Sequence, residues 1–367
     1  MSKASNVRHI TRALLYVFSV LALFLFTIDL LVASLGHLGK DVVQNVLEVT
    51  ANPFVSLFIG LLITALIQSS STTTSMIVAA AAAGSIEMYQ AVPMIMGANI
   101  GTTITSNIVS ISYISDRIIF RRAFASATLH DHFNIITTII LFPLQYKYHL
   151  LGRISSKVTS VLTFQPESNQ SVEMAHFAIG NFMLSEWIIK VVGHPVIVLL
   201  LSIVLLFFSI KLFTKIIYRG FIGSASTKFE KTVFKNPLKA FGWGAILTGA
   251  IQSSSVTTSF IVPLVATNKV KLTQVYPFII GANIGTTITA LLAALFKSPE
   301  AISIAVVHFM FNLIGCILFF GLPGLNKLAL LLTTALGDLT MRYRIISLIY
   351  LIITFFLLPF SFIYLTK

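Results

Sequence analysis

Two stretches of the chain stay apolar for longer than a soluble fold explains. Residues 13–35 are apolar apart from Ser19, Thr27, Ser34 and the single charge of Asp29, and residues 345–366 carry no charge. Each predicts a helix long enough to cross a hydrocarbon core of about 30 Å. The first is long for a leader, lacks a small-residue cleavage pattern and is followed by more apolar segments. It is therefore read as a retained first helix.

Between these ends, polar runs interrupt the apolar pattern. Residues 53–67 form a mostly apolar segment too short to span comfortably. Gln68-Ser69-Ser70-Ser71-Thr72-Thr73-Thr74-Ser75 follows, and residues 76–83 are largely apolar again. Backbone that unwinds at membrane depth persists only where it is buried in protein or lines a watery cavity. The pattern thus predicts a re-entrant hairpin or interrupted helix at Gln-Ser-Ser-Ser. The run returns as Gln252-Ser253-Ser254-Ser255-Val256-Thr257-Thr258-Ser259, and the block Gly97-Ala98-Asn99-Ile100-Gly101-Thr102-Thr103-Ile104-Thr105 returns unchanged at 281–289. Asn52-Pro53 and Pro93 keep the same register at Asn236-Pro237 and Pro277, so the chain is an internal duplication. Gly101 and Gly285, each between Asn-Ile and Thr-Thr, predict a second break in each repeat.

Composition agrees: 56% of the 367 residues are hydrophobic and only 10% are charged, which indicates an integral membrane protein. The net charge of +13 does not call for a nucleic acid partner, because the basic residues flank apolar spans. Lys3, Arg8 and Arg12 precede the first span. Lys211, Lys215, Arg219, Lys228, Lys231, Lys235 and Lys239 lie between the repeats, opposed only by Glu230. Both regions are expected to face the cytoplasm. Repeat one then starts from outside and repeat two from inside, which makes them inverted-topology repeats. The expected fold is an all-α polytopic transmembrane transporter. It divides into a tail and first helix (1–51), a repeat 1 core (52–143) and a connecting region (144–235). A repeat 2 core (236–322) and a C-terminal transmembrane region (323–367) complete it. Residues 145–175 are expected to form a polar external connection, and no separate soluble domain is expected. Cys316 stands alone, so an intramolecular disulfide is excluded.

The polar cores define the chemistry. Residues 53–115 contain one charge, Glu87, and residues 240–296 contain only Lys269 and Lys271, in a short connection. Hydroxyls, carboxamides and half-helix N-termini are left to bind ligand, and these suit small oxyanions. Unwound carbonyls and Thr or Asn oxygens equally suit sodium. A multiply charged anion in such a pocket needs counter-charge. With no Lys or Arg in the motifs, co-bound cations must supply it, which is a physical route to obligatory coupling. Small hydroxyl residues also pack helices together in membranes, and an isolated Ser run would be read that way. Two copies in register favour a binding site.

Three further features are weighed. His130/Asn134 and His308/Asn312 are each one turn apart and share a face. His130-Asp131-His132 is a poor metal motif, because adjacent helical positions point apart. The histidines are read as buried and hydrogen-bonded, with Asn134 the better ligand. Asp116 is equally a helix-end carboxylate or a cation ligand. Trp187 and Trp243 are read as interface or packing residues. No Gly-x-Ser-x-Gly elbow accompanies the Ser runs, so an enzyme is not expected.

At these residues the chain resembles the type II sodium–phosphate cotransporter family, on its bacterial side. The paired Gln-Ser-Ser-Ser motifs, the block at 97–102, and Arg122-Ala123-Phe124-Ala125-Ser126-Ala127-Thr128 through His130-Asp131-His132-Phe133-Asn134 carry the likeness over residues 50–140 and 235–320. The resemblance implies a multi-pass plasma-membrane symporter that imports inorganic phosphate with sodium and needs no other cofactor. It implies a phosphate site of Gln68, Ser69, Ser70, Ser71, Gln252, Ser253, Ser254 and Ser255. It implies sodium ligands among Asn99, Thr102, Asn107, Asp116, Asn134, Asn283 and Thr286, with Asp116 marking electrogenic members. Ala282 stands where animal members carry Ser. The rival readings are a sodium-coupled carrier of another oxyanion (dicarboxylate, sulfate or arsenate) and an uncoupled anion channel or sensor.

Overall fold

The computed structural model describes residues 3–38, 40–162, 183–221, 232–295 and 297–366. Every regular element among them is helical, as expected where lipid offers no partner for a backbone N–H or C=O. α1 (Lys3–Gly36) and α2 (Lys40–Val49) lead into repeat one. That repeat contains α3 (Pro53–Ile67), α4 (Ser70–Ala82), α5 (Met88–Gly101), α6 (Ile104–Ile111) and α7 (Arg117–Tyr148). After it come α8 (Leu150–Leu162), α9 (Met183–Val192) and α10 (Pro195–Phe221). Repeat two contains α11 (Pro237–Ile251), α12 (Ser254–Ala266), α13 (Leu272–Ala294) and α14 (Pro299–Gly321). α15 (Pro323–Arg342) and α16 (Ile345–Leu365) follow.

Among the described residues, Phe18–Gly36, Pro195–Leu212, Leu272–Ala294, Pro299–Gly321 and Ile345–Leu365 are long and apolar enough to span a bilayer. Their outer faces carry exposed Phe18, Leu200, Ile317 and Tyr364, side chains suited to lipid. The protein is an all-α, multi-pass membrane protein.

One expectation needs correction. The second break occurs in repeat one only: α5 ends at Gly101 and α6 restarts at Ile104, whereas α13 runs unbroken through Gly285. The identical blocks are followed by different sequence. After Thr105, Ser106 donates to Thr103 O (2.8 Å), Asn107 Nδ2 to the same carbonyl (3.2 Å) and Ser110 to Asn107 O (2.6 Å). Such local bonds compete with the helical ladder. After Thr289 comes Ala290-Leu291-Leu292-Ala293-Ala294, built from strong helix formers. Within residues 145–162 the connection is helical, because α7 continues to Tyr148 and α8 covers Leu150–Leu162; residues 163–175 lie outside the described residues. Lys211, Lys215 and Arg219 lie within α10, which runs to Phe221. Lys228, Glu230 and Lys231 lie outside the described residues.

The two repeats share one packing device. α3 lies against α5, and α11 against α13, so closely that backbone meets backbone. A Cβ on Gly97 would overlap the carbonyl oxygen of Leu57, and a Cβ on Gly281 that of Phe241. Gly60 and Gly244 make the same approach to the carbonyls of Met94 and Phe278. Small residues allow such contact between helices in lipid. Gly97→Ala is therefore expected to destabilise the fold by about 3 kcal/mol, read as a lower thermal midpoint in detergent. Gly242→Ala, where a Cβ meets nothing within 4 Å, serves as the neutral control. Equal midpoints for the two variants would refute the close-packing account.

Candidate functional site

Each repeat begins with a helix capped by its own Asn. Asn52 Oδ1 accepts from Phe54 N, and Asn236 Oδ1 from Lys239 N, with Pro in the first turn of both helices. Both helices end at the Gln of the motif. Gln68 (φ 58°, ψ 31°) and Gln252 (φ 55°, ψ 30°) are left-handed, and each N–H closes the helix on Thr64 O or Thr248 O at 2.7 Å. A side chain other than Gly in this region costs of order 1–3 kcal/mol and marks a position held for a purpose. Ser69 (φ −149°) and Ser253 (φ −149°) then return to extended backbone, and their hydroxyls cap α4 and α12 by accepting from Thr72 N and Val256 N.

The two breaks meet. Ser71 Oγ donates to Gln252 O (2.8 Å) and approaches Thr289 Oγ1 (3.4 Å). Ser70 is hydrogen-bonded to Thr102 at 2.9 Å, and Thr102 to Ser255 at 3.2 Å and Ser254 at 3.4 Å. Thr102 sits in the interruption between α5 and α6. Thus hydroxyls from both motifs gather at the first turns of two 13-residue helices, where free N–H groups and the dipole favour an anion. A cavity of about 430 Å³ opens beside them, lined by Gln68, Ser69, Thr105, Ser253, Ser255 and Lys211. Gln68 is exposed there, while Gln252 is buried.

Behind the hydroxyls lies a belt of buried amides and imidazoles, paired crosswise between repeats. His130 of repeat one donates to Asn283 of repeat two at 2.8 Å, and His308 of repeat two to Asn99 of repeat one at 3.3 Å. Asn134 Nδ2 reaches Asn99 O (2.7 Å), and Asn312 Nδ2 reaches Asn99 Oδ1 (3.3 Å). The expected burial of both histidines is met.

The expected cation ligands fall in different places. Asn99, Asn134 and Asn283 share the buried belt, and Thr102 joins the hydroxyl cluster. Thr286 is buried and donates to Ala282 O of its own helix (2.9 Å). Asn107 donates to Asp131 at 2.8 Å. Asp116 is exposed at the start of α7, where Oδ1 accepts from Ile118 N and Ile119 N. No residue of the hydroxyl cluster or the buried belt is among its hydrogen-bond partners.

Asp131, which is not among the expected cation ligands, is fully buried and also accepts from Tyr350 OH at 2.9 Å. Thr103 lies within reach of the carboxylate as well, and among the described residues Asp131 Oδ1, Asn107 Oδ1 and Asn134 Oδ1 keep no close hydrogen-bond donor. Asp131 and Asn134 are one turn apart on α7 and share a face. A carboxylate with carboxamide oxygens is a hard-oxygen donor set that fits a cation such as sodium. The sequence does hold a signal for it, an acidic residue inside an apolar helical segment. Comparing the repeats hides that signal, because the residue after His308 is Phe309.

The model of the Na+/Pi-cotransporter family matches residues 23–163 and 205–356. Sodium-dependent phosphate transport protein 2A of Rattus norvegicus is 32% identical over 92% of this chain and 65% of its own length. Protein 2B of Homo sapiens is 28% identical over 94% of this chain and 64% of its own; protein 2B of Bos taurus is 31% identical over 92% and 62%. The chain thus spans about 65% of the length of the curated relatives it matches. No solved structure matches it. The family match covers both repeats and both breaks, and the chain belongs to the Na+/Pi-cotransporter family.

Proposed function

We propose that the protein is a sodium-coupled symporter that brings inorganic phosphate across the plasma membrane. The observation that carries this reading is the meeting of the two Gln-Ser-Ser-Ser breaks, with the buried Asp131 on the helix behind them. Ser69, Ser70, Ser71, Ser253, Ser254 and Ser255, with Gln68 and Gln252, offer donors to phosphate oxygens. Asp131, Asn107 and Asn134 offer oxygens to sodium, with Asn99, Thr102, Asn283 and Thr286 around them. Neither ion is well compensated alone in a pocket of low dielectric, so they enter together. The crosswise pairing of His130 with Asn283 and His308 with Asn99 supports repeats related by a two-fold axis in the membrane plane. Such a relation favours alternating access around a midplane site. The positive-inside pattern places the N-terminus in the cytoplasm. Excess sodium charge makes the cycle electrogenic, worth about 2.3 kcal/mol per net charge per 100 mV.

The test is uptake of radiolabelled phosphate into proteoliposomes under an inward sodium gradient, against a matched potassium gradient. Accumulation with sodium alone is expected, and equal uptake in both would refute symport. Ser254→Ala removes one hydroxyl of the cluster. At about 1.5–3 kcal/mol for a hydrogen bond to a charged group, uptake should fall roughly ten- to hundredfold. Unchanged uptake would exclude this hydroxyl from the phosphate site. Sulfate or succinate competing as well as unlabelled phosphate would transfer the reading to a general oxyanion carrier.

A further inference from the structure

α1 and α10 pack against each other and carry one local pattern with opposite charges. Thr27-Ile28-Asp29-Leu30 in α1 corresponds to Ser209-Ile210-Lys211-Leu212 in α10. In both, the hydroxyl two residues before the charge donates to the carbonyl three residues back: Thr27 to Phe24 O at 2.7 Å and Ser209 to Leu206 O at 2.8 Å. Phe24, Ile28, Leu206 and Ile210 are buried in one core. Asp29 and Lys211 thus hold matching places in one local pattern on two helices that pack together.

Their surroundings differ. Asp29 is largely enclosed; Oδ1 pairs with Lys297 Nζ at 2.9 Å and Oδ2 accepts from Ser185 Oγ at 2.9 Å. Lys211 has no ion pair among the described residues. Its ammonium stands 4.3 Å from the centroid of the Phe207 ring, which shares the cavity wall with Gln68, Ser69, Ser253 and Ser255. Among the residues lining this cavity, Lys211 alone is charged. Several of the remaining walls are apolar, including Leu66, Ile67, Ile210 and Val256. Such walls focus a charge's field into the opening.

We propose that Lys211 is an anion-binding residue of this cavity, supplying a fixed positive charge to phosphate on one face of the membrane only. This rests on the transport reading given above and adds a residue to it. Lys211 lies toward the C-terminal end of α10, so the cation serves phosphate entering from, or leaving to, the face to which that end points. The matching position on α1 holds Asp29, which is already neutralised by Lys297. The binding chemistry is therefore asymmetric: hydroxyls and helix N-termini at the midplane serve both faces, and an ammonium serves one. A rival account makes Lys211 only a membrane-edge cation that orients the helix.

The experiment is sodium-dependent phosphate transport in oriented membrane vesicles, with phosphate presented from either face, comparing unaltered protein with K211Q and K211R. K211Q is expected to raise the half-saturating phosphate concentration about tenfold from the face served by Lys211. From the other face it should remain within twofold. K211R should stay within about threefold of the unaltered protein on both faces. Protease accessibility confirms that all three insert in one orientation. K211R also keeps the question open to test should K211Q not fold, because its half-saturation is then read against unaltered protein at raised ionic strength. Screening should weaken binding on the Lys211 face alone. Unchanged half-saturation on both faces, or an equal rise on both, overturns the assignment and leaves the transport reading standing. No sodium-driven phosphate uptake by the unaltered protein overturns the transport reading, and this assignment with it.

Discussion

Replacing Asp131 with Asn is expected to abolish sodium activation of phosphate uptake while leaving the protein folded. The substitution is nearly isosteric, and the new carboxamide oxygen can still accept from Asn107 Nδ2 and Tyr350 OH, which now hold the carboxylate at 2.8 and 2.9 Å. What disappears is the capacity of a fully buried group to carry negative charge beside a bound cation. Two unit charges about 4 Å apart at an effective dielectric near 20 attract by about 4 kcal/mol. That corresponds to about three orders of magnitude in cation affinity. The measurement is the sodium-activation curve in proteoliposomes, paired with the sodium-induced rise of the thermal midpoint in detergent. Both responses should vanish in D131N. D116N, which removes only an exposed helix cap, should retain both. Retention by D131N together with loss by D116N would move the cation site to the start of α7 and sink the assignment to Asp131.

The second large effect concerns stability. Asp29 and Lys297 keep only 14% and 16% of their side-chain surfaces exposed and form an ion pair at 2.9 Å. The pair joins α1 to the segment between α13 and α14, and Ser185 of α9 adds a hydrogen bond. Removing one partner of an enclosed pair strands the other charge, at a cost of about 3–5 kcal/mol. D29N should therefore melt well below the unaltered protein. The double variant D29N/K297Q should recover most of the loss, because it leaves no stranded ammonium. Fluorescence-detected thermal melting in detergent reads both. Equal midpoints for D29N and the unaltered protein would mean that water or lipid headgroups already compensate the lysine.

The breaks at Gln68 and Gln252 were legible because a polar run in apolar sequence has few physical explanations, and its repetition leaves fewer. Asn99 and Asn283 stand out in the repeated block, though their crosswise pairing with histidines of the other repeat does not. Local identity misled at Gly285: the repeated block is neutral about helix continuity, and the residues beyond it decide. Asp131 was hidden for a related reason. Comparing repeats finds what both halves share, and Asp131 has no acidic counterpart after His308. Tyr350 lies beyond either repeat, so its bond to Asp131 depends on tertiary packing that no local pattern encodes. Lys211 looked like a topogenic charge, and only the path of α10 past the breaks brings it to the cavity.

The glycine contacts of α3 with α5 and of α11 with α13 have a mechanical meaning. Two main chains in direct contact have no flexible side chains between them to absorb strain, so each helix pair is stiff. Any movement that carries ions between faces must pivot each pair as one lever, and must slide where side chains interleave, as between α1 and α10. A covalent staple within either lever should leave turnover untouched. The same staple between levers should stop the machine.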